Sequence, residues 1–150
     1  MKKIVIASFL ALAALSASAI EVGVSAAQDR ALDETGVRLT AGAAALPLGF
    51  KGSLEATRID AGSKQLTQYG VAATREITKL GVISVGAKVG ASYIDRNFGQ
   101  DGYAATVGLG ATMPLTQKLD LNVGAERRYG QDRIADLNGN TLTAGLSYKF

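Results

Sequence analysis

The sequence predicts an all-β chain, an eight-stranded antiparallel up-and-down barrel preceded by a cleaved export leader. Three observations lead there. Residues 20–150 fall into eight stretches in which apolar and small or polar residues alternate at every second position. The connections between those stretches alternate between tight and longer, more polar ones. The first nineteen residues follow a different rule altogether.

That first segment pairs a positive start, Lys2 and Lys3, with an apolar run from Ile4 to Leu15 and a small-x-small ending, Ala17-Ser18-Ala19. This is the pattern of a secretory signal peptide, cut after Ala19. The run is shorter than the roughly 20 apolar residues that a membrane-spanning helix needs. The chain therefore divides into a leader, residues 1–19, and a barrel, residues 20–150. Losing Lys2 and Lys3 takes the formal charge from +3 to +1, too little to argue for a nucleic-acid partner.

The strands follow in order. Residues 20–28 set Ile20, Val22, Val24 and Ala26 against Glu21, Gly23 and Ser25. Residues 37–46 set Val37, Leu39 and Ala41 against Arg38, Thr40 and Gly42. Residues 50–59 set Phe50, Leu54 and Ala56 against Lys51, Ser53, Glu55 and Thr57. Residues 66–77 oppose Tyr69, Val71, Ala73 and Ile77 to Gln68, Gly70, Thr74 and Glu76. Residues 82–94 oppose Ile83, Val85, Val89 and Tyr93 to Ser84, Gly86, Lys88, Gly90 and Ser92. Residues 103–113 put Tyr103, Val107, Leu109 and Met113 on one side, Thr106, Gly108, Gly110 and Thr112 on the other. Residues 119–129 separate Leu119, Leu121, Val123 and Tyr129 from Asp120, Asn122, Gly124, Glu126 and Arg128. Residues 141–150 separate Leu142, Leu146, Tyr148 and Phe150 from Thr143, Gly145, Ser147 and Lys149.

Three connections are tight, at 46–49, 78–81 and 114–118, and they hold both prolines, outside strand interiors. The other four, 29–36, 60–65, 95–102 and 130–140, are longer and more polar. Short turns at one end and longer loops at the other are what an even-stranded membrane barrel predicts.

Which face points inward follows from charge and bulk. The small and polar face carries half of the 18 glycines and ten charges in balance: Glu21, Glu55, Glu76, Asp120 and Glu126 against Arg38, Lys51, Lys88, Arg128 and Lys149. A narrow lumen accommodates such a set, because opposite charges pair and glycines leave room; unpaired burial costs roughly several kcal/mol per ion. The apolar face carries only Arg58, Arg75 and Arg127, all near strand ends at about 3.3 Å per residue. Its aromatic residues gather in two belts. Tyr69, Tyr93, Tyr103 and Tyr129 lie at the long-loop ends, and Phe50, Tyr148 and Phe150 at the short-turn ends. Membrane interfaces select such belts, whereas a water-soluble barrel offers no reason for them. The barrel is therefore a transmembrane one.

The final stretch, Thr143-Ala144-Gly145-Leu146-Ser147-Tyr148-Lys149-Phe150, resembles the C-terminal signal of outer-membrane barrels: a polar residue, glycine two later, then two aromatics spaced by one. The chain as a whole resembles the small eight-stranded outer-membrane proteins of Gram-negative bacteria, the OmpA transmembrane domain and OmpX-like group. That resemblance implies a cell outer-membrane location, contact with outer-membrane lipids and lipopolysaccharide, and transient engagement of the barrel assembly machinery through Gly145, Tyr148 and Phe150. Against the OmpA type, no periplasmic peptidoglycan-binding domain is expected here, and against adhesin-like members the loops are modest.

Function is bounded mainly by what the composition omits. The chain has no His and no Cys, which removes the commonest general base and metal ligand, every Ser-His-Asp or Cys-His device, and any disulfide framework. Outer-membrane lipid-modifying enzymes rely on histidine, so Ser53 beside Glu55, and Ser84 and Ser92 near Lys88, are read as ordinary lumen groups. The expectation is a non-enzymatic monomer without metal or cofactor, with a charge-filled lumen and a structural or surface-contact role. Arg58 and Arg127, with Lys64, Arg96 and Arg133, are candidate contacts for lipopolysaccharide phosphates, set against ordinary interfacial snorkelling. A small-solute or ion pore stands as the alternative, since inward glycines widen the lumen.

Overall fold

A computed structural model describes residues 20–150, and for residues 43–47 the backbone alone. The leader expected at 1–19 lies outside the described residues. Eight strands follow one another: β1 Glu21–Asp29, β2 Glu34–Leu46, β3 Phe50–Ala61, β4 Lys64–Leu80, β5 Ile83–Arg96, β6 Gly102–Pro114, β7 Leu119–Gly130 and β8 Gly139–Lys149. Each pairs antiparallel with the next, and β8 returns to β1 from Glu21↔Lys149 to Asp29↔Thr141, closing the sheet. Closure removes the two open edges that an isolated sheet would present.

The alternation becomes an inside and an outside. Val22, Val24, Val37, Leu39, Val71, Val89, Val107, Leu109, Val123, Leu142 and Leu146 are all exposed on the outer wall. Arg38, Thr57, Gln68, Ser92, Thr106, Glu126 and Arg128, from the opposite register, are buried. Water is the wrong solvent for such an outer wall, and a hydrocarbon layer the right one. Leu54 departs from the pattern: it stands in the outward register yet is buried.

The strands run further than the alternation suggests, because a hairpin ladder continues wherever both chains can still pair. β3 and β4 are joined by Gly62–Ser63 alone, so the polar connection expected at 60–65 is mostly strand. β4 extends to Leu80, into the expected turn at 78–81, and meets β5 across Gly81–Val82. A bulge between Glu76 and Thr78 shifts the register, pairing Lys79 with the inward Ser84. At the β1–β2 turn the Asp29 carboxylate accepts the Ala31 and Leu32 backbone N–H groups at 2.9 and 3.3 Å, replacing ladder partners lost in the turn. The β7–β8 connection at the far end has structure of its own, a 3-10 segment at Asp132–Leu137.

Both ends of the described chain lie at one end of the barrel, here the termini end. At the far end the interior is apolar, formed by Ile59, Leu66, Ile94 and Ala104 from the wall with Ile134 and Leu137 from the 3-10 segment. Leu32 and Phe98 pack against this cluster from the loops. The seam explains one residue closely. A Cβ on Gly145 would overlap the Val24 carbonyl oxygen and the Ser25 Cβ, so only glycine lets β8 dock on β1.

Gly145→Val is therefore expected to lower folding stability by about 3 kcal/mol or more, as overpacking does. Refolding into detergent micelles without any assembly factor isolates this packing role. An unchanged urea midpoint would show that the seam tolerates the side chain.

Candidate functional site

Among the described residues the fold gathers its buried charged and polar side chains in the lumen, which is layered along the barrel axis. At mid-height four strands each contribute one charge: Arg38 from β2, Glu55 from β3, Lys88 from β5 and Glu126 from β7. Lys88 Nζ lies 2.6 Å from Glu55 Oε1 and 2.8 Å from Glu126 Oε2. Arg38 pairs with Glu126, approaches Glu55 at 3.8 Å and donates through Nε to Thr57 Oγ1 at 2.9 Å. Each cation meets both carboxylates, so the tetrad is neutral and ties strands across the lumen. Gly108 stands between Lys88 and Glu126 in register; a Cβ there would come within 2.6 Å of the Ala125 carbonyl oxygen and 2.8 Å of the Glu126 Cβ.

Above the tetrad, toward the far end, lies a polar layer. Arg128 Nη1 is 2.8 Å from Asp29 Oδ2, and Nε donates to the Leu137 carbonyl at 2.8 Å. Gln68 Nε2 donates to Ser92 Oγ at 3.0 Å. Asp29 is a member of this layer that strand alternation alone did not single out, although it continues the inward register of Glu21, Gly23 and Ser25.

Below the tetrad, a cavity of about 910 Å³ opens at the termini end, reaching from Gly49, Gly81 and Pro114 at the rim down to Arg38, Glu55, Lys88 and Glu126. Glu21, Glu76, Asp120, Lys51 and Lys149, all expected in the lumen charge network, line this vestibule instead of joining the tetrad. Lys149 pairs with Asp120 at 2.5 Å, and Glu21 accepts a hydrogen bond from Ser147. Glu76 is exposed and pairs with Lys79 at 3.7 Å, and Lys51 is exposed at the rim. Their strand ends are too near the mouth for solvent to be excluded. Asp120 is buried among them. A chain of bonds runs from Thr112 to Asn122 at 2.7 Å and on to Ser147 at 2.8 Å.

The outer wall carries the aromatic belts. Tyr93 and Tyr103 are tilted neighbours with centroids 5.2 Å apart, Tyr69 is in register with Tyr93, and Tyr129 carries the Arg127 guanidinium 5.5 Å above its ring. At the termini end Tyr148 and Phe150 meet edge to face at 5.1 Å, Lys118 stands over Tyr148 at 5.7 Å, and Arg75 over Phe50 at 5.7 Å.

The candidate rim cations divide. Arg58 is exposed but bonded to Asp60 at 3.0 Å on the same face. Lys64 lies over the Phe98 ring at 5.5 Å, and Arg133 is exposed. Arg96 does not reach the rim: it continues the inward register of β5, is buried, and binds Asp136 at 2.5 Å and the Gln100 carbonyl at 2.8 Å. That guanidinium, by hydrogen bond first and charge second, holds the Asp136 carboxyl below its usual range. Ile59, Leu66 and Ile94 form a group that the alternation does not announce. Their signal is an apolar residue in the polar register at the far end of three consecutive strands.

No protein-family model matches the chain, and no curated protein matches it in sequence. Solved structures do match in fold. A major outer-membrane protein of Thermus thermophilus superposes with a TM-score of 0.68 at 13% identity, over 90% of this chain and 100% of that one. The N-terminal β-barrel domain of Pseudomonas aeruginosa OprF gives 0.66 at 14% identity, covering 89% and 98%. Neisserial surface protein A gives 0.60 at 19% identity, covering 90% and 98%. The chain thus has the fold of the small eight-stranded outer-membrane barrels.

Two measurements follow. Glu126→Gln leaves Arg38 and Lys88 sharing Glu55 alone, and is expected to cost about 3–5 kcal/mol in urea unfolding from micelles, the usual penalty for breaking a buried ion pair. An NMR titration of Asp136 is expected to show a midpoint below the ordinary ~3.9, restored by Arg96→Gln. Because this carboxyl is depressed in the folded state, its contribution to stability is full above the unfolded value. It is lost as pH falls through the folded one.

Proposed function

We propose that this chain is an integral protein of a Gram-negative outer membrane, exported by a leader removed after Ala19, with a closed barrel that serves a structural and surface-contact role and no enzymatic one. The observation that carries this reading is the pairing of opposites across one wall. An uncharged Val/Leu band lies outside between two aromatic rims with cations stacked on them, and the neutral tetrad lies inside at mid-height. An outward charge at the bilayer midplane would cost roughly 2–4 kcal/mol, and the outward cations sit beside the rims.

Within this reading the protein is a monomer, since the closed sheet needs no partner for its edges. Gly145, Tyr148 and Phe150 present the end motif to the assembly machinery before the seam closes. Arg127, an outward cation, and Lys64, exposed at the far rim over Phe98, meet lipopolysaccharide phosphates through charge-assisted bonds. Arg58 contributes less, because Asp60 already neutralises it. Ser53, Ser84 and Ser92 have no histidine to activate them.

The vestibule favours a second reading, a small-solute pore, since it opens the lumen from the termini end as far as the tetrad. Fractionation and gel mobility test the first claim. The protein is expected in the outer membrane, with the unboiled form running faster than the boiled one; a soluble periplasmic protein overturns the reading. Planar-bilayer recording separates the two functions, with no stable conductance expected and steady openings assigning the pore.

A further inference from the structure

We infer that the lumen carries two seals in series, and that the Asp132–Leu137 segment is an apolar stopper that closes the far mouth independently of the ion-paired tetrad. The inference rests on the closed-barrel reading above and adds to it which element excludes solutes from the far side.

The stopper is built rather than draped. Within a segment whose other residues are exposed, Ile134 and Leu137 are 0% and 1% exposed, turned into the barrel against Ile59, Leu66, Ile94 and Ala104. The wall makes room for them: a Cβ on Gly130 would lie 2.6 Å from both Ile134 Cγ1 and the Ile134 carbonyl oxygen. Two buried arginines of the wall then hold the segment by its polar groups. Arg96 binds Asp136 at 2.5 Å and the Arg133 carbonyl at 3.1 Å, and Arg128 donates to the Leu137 carbonyl at 2.8 Å. The Gly130 N–H adds a bond to Asn138 Oδ1 at 2.6 Å. The loop is fastened on both sides of its apolar residues.

The two seals differ in kind. The tetrad excludes solutes by filling the lumen with mutually neutralised ions, and the stopper by presenting a dry surface. Ser92 lies between them, buried, bonded to Gln68 and not part of the vestibule wall. Ser53 lies below the tetrad on the vestibule wall. Thus one position reports the sealed compartment and another the open one.

The chain contains no cysteine, so a single introduced thiol reports its own surroundings. Ser53→Cys and Ser92→Cys proteins, purified and folded in detergent micelles, are treated with a charged, water-soluble thiol reagent. Ser53→Cys is expected to react rapidly and Ser92→Cys at least a hundredfold more slowly. Adding Ile134→Ser and Leu137→Ser to Ser92→Cys is expected to raise its rate at least tenfold, while Ser53→Cys is unaffected by the same pair. Arg96→Gln, which loosens the latch without touching the plug, is expected to raise it severalfold and decides the matter if the double variant does not fold. Heat-shifted gel mobility certifies the barrel in every variant, so failure of the barrel reading shows itself before any labelling. Equal rates for Ser92→Cys and Ser53→Cys with the stopper intact overturn the proposal. So does continued protection of Ser92→Cys in folded stopper variants.

Discussion

Every backbone N–H and C=O within a membrane must find its partner inside the protein, and in a sheet that is possible only if the last strand returns to the first. The β1–β8 ladder from Glu21↔Lys149 to Asp29↔Thr141 meets that demand. Once eight strands close, the lumen width is set, just enough for side chains and little more. The chemistry of the interior follows from that width. Arg38, Glu55, Lys88 and Glu126 reach one another across it, and Gly108 and Gly145 are small where a larger residue would push strands apart.

The same width explains why charge is tolerated inside. An ion buried in a narrow, low-dielectric tube is costly alone, yet each member of the tetrad meets two of opposite sign. Nearer the termini end, solvent takes over from pairing, and Lys51 and Glu76 are exposed there. At the far end pairing persists only at the arginines, Arg128 with Asp29 and Arg96 with Asp136, and the interior between them turns to Ile59, Leu66, Ile94, Ile134 and Leu137.

Strand number, strand direction and the inward face were legible in the sequence because alternation at every second residue reports them directly, as in Val22, Val24 against Glu21, Gly23. Strand length was not, since polar residues such as Asp60 or Lys64 pair in a ladder as readily as they form a loop. Within the candidate site, charge identity was legible and pairing was not. Which cation meets which carboxylate depends on depth along the axis, and depth depends on register and on the bulge after Glu76. Arg96 shows the limit most clearly. Read as part of a polar loop it belongs at the rim, whereas a slightly longer ladder sends it into the lumen.

The vestibule makes the two halves of the wall electrically unequal. Electrolyte that enters the 910 Å³ cavity carries the potential of the termini side inward as far as the tetrad. Any voltage across the membrane then falls over the remaining part of the lumen, where field lines concentrate between aqueous phase and plug. The insulating part of this barrel is accordingly the stretch from the Lys88 layer to the Ile134 plug, not the full height of its strands.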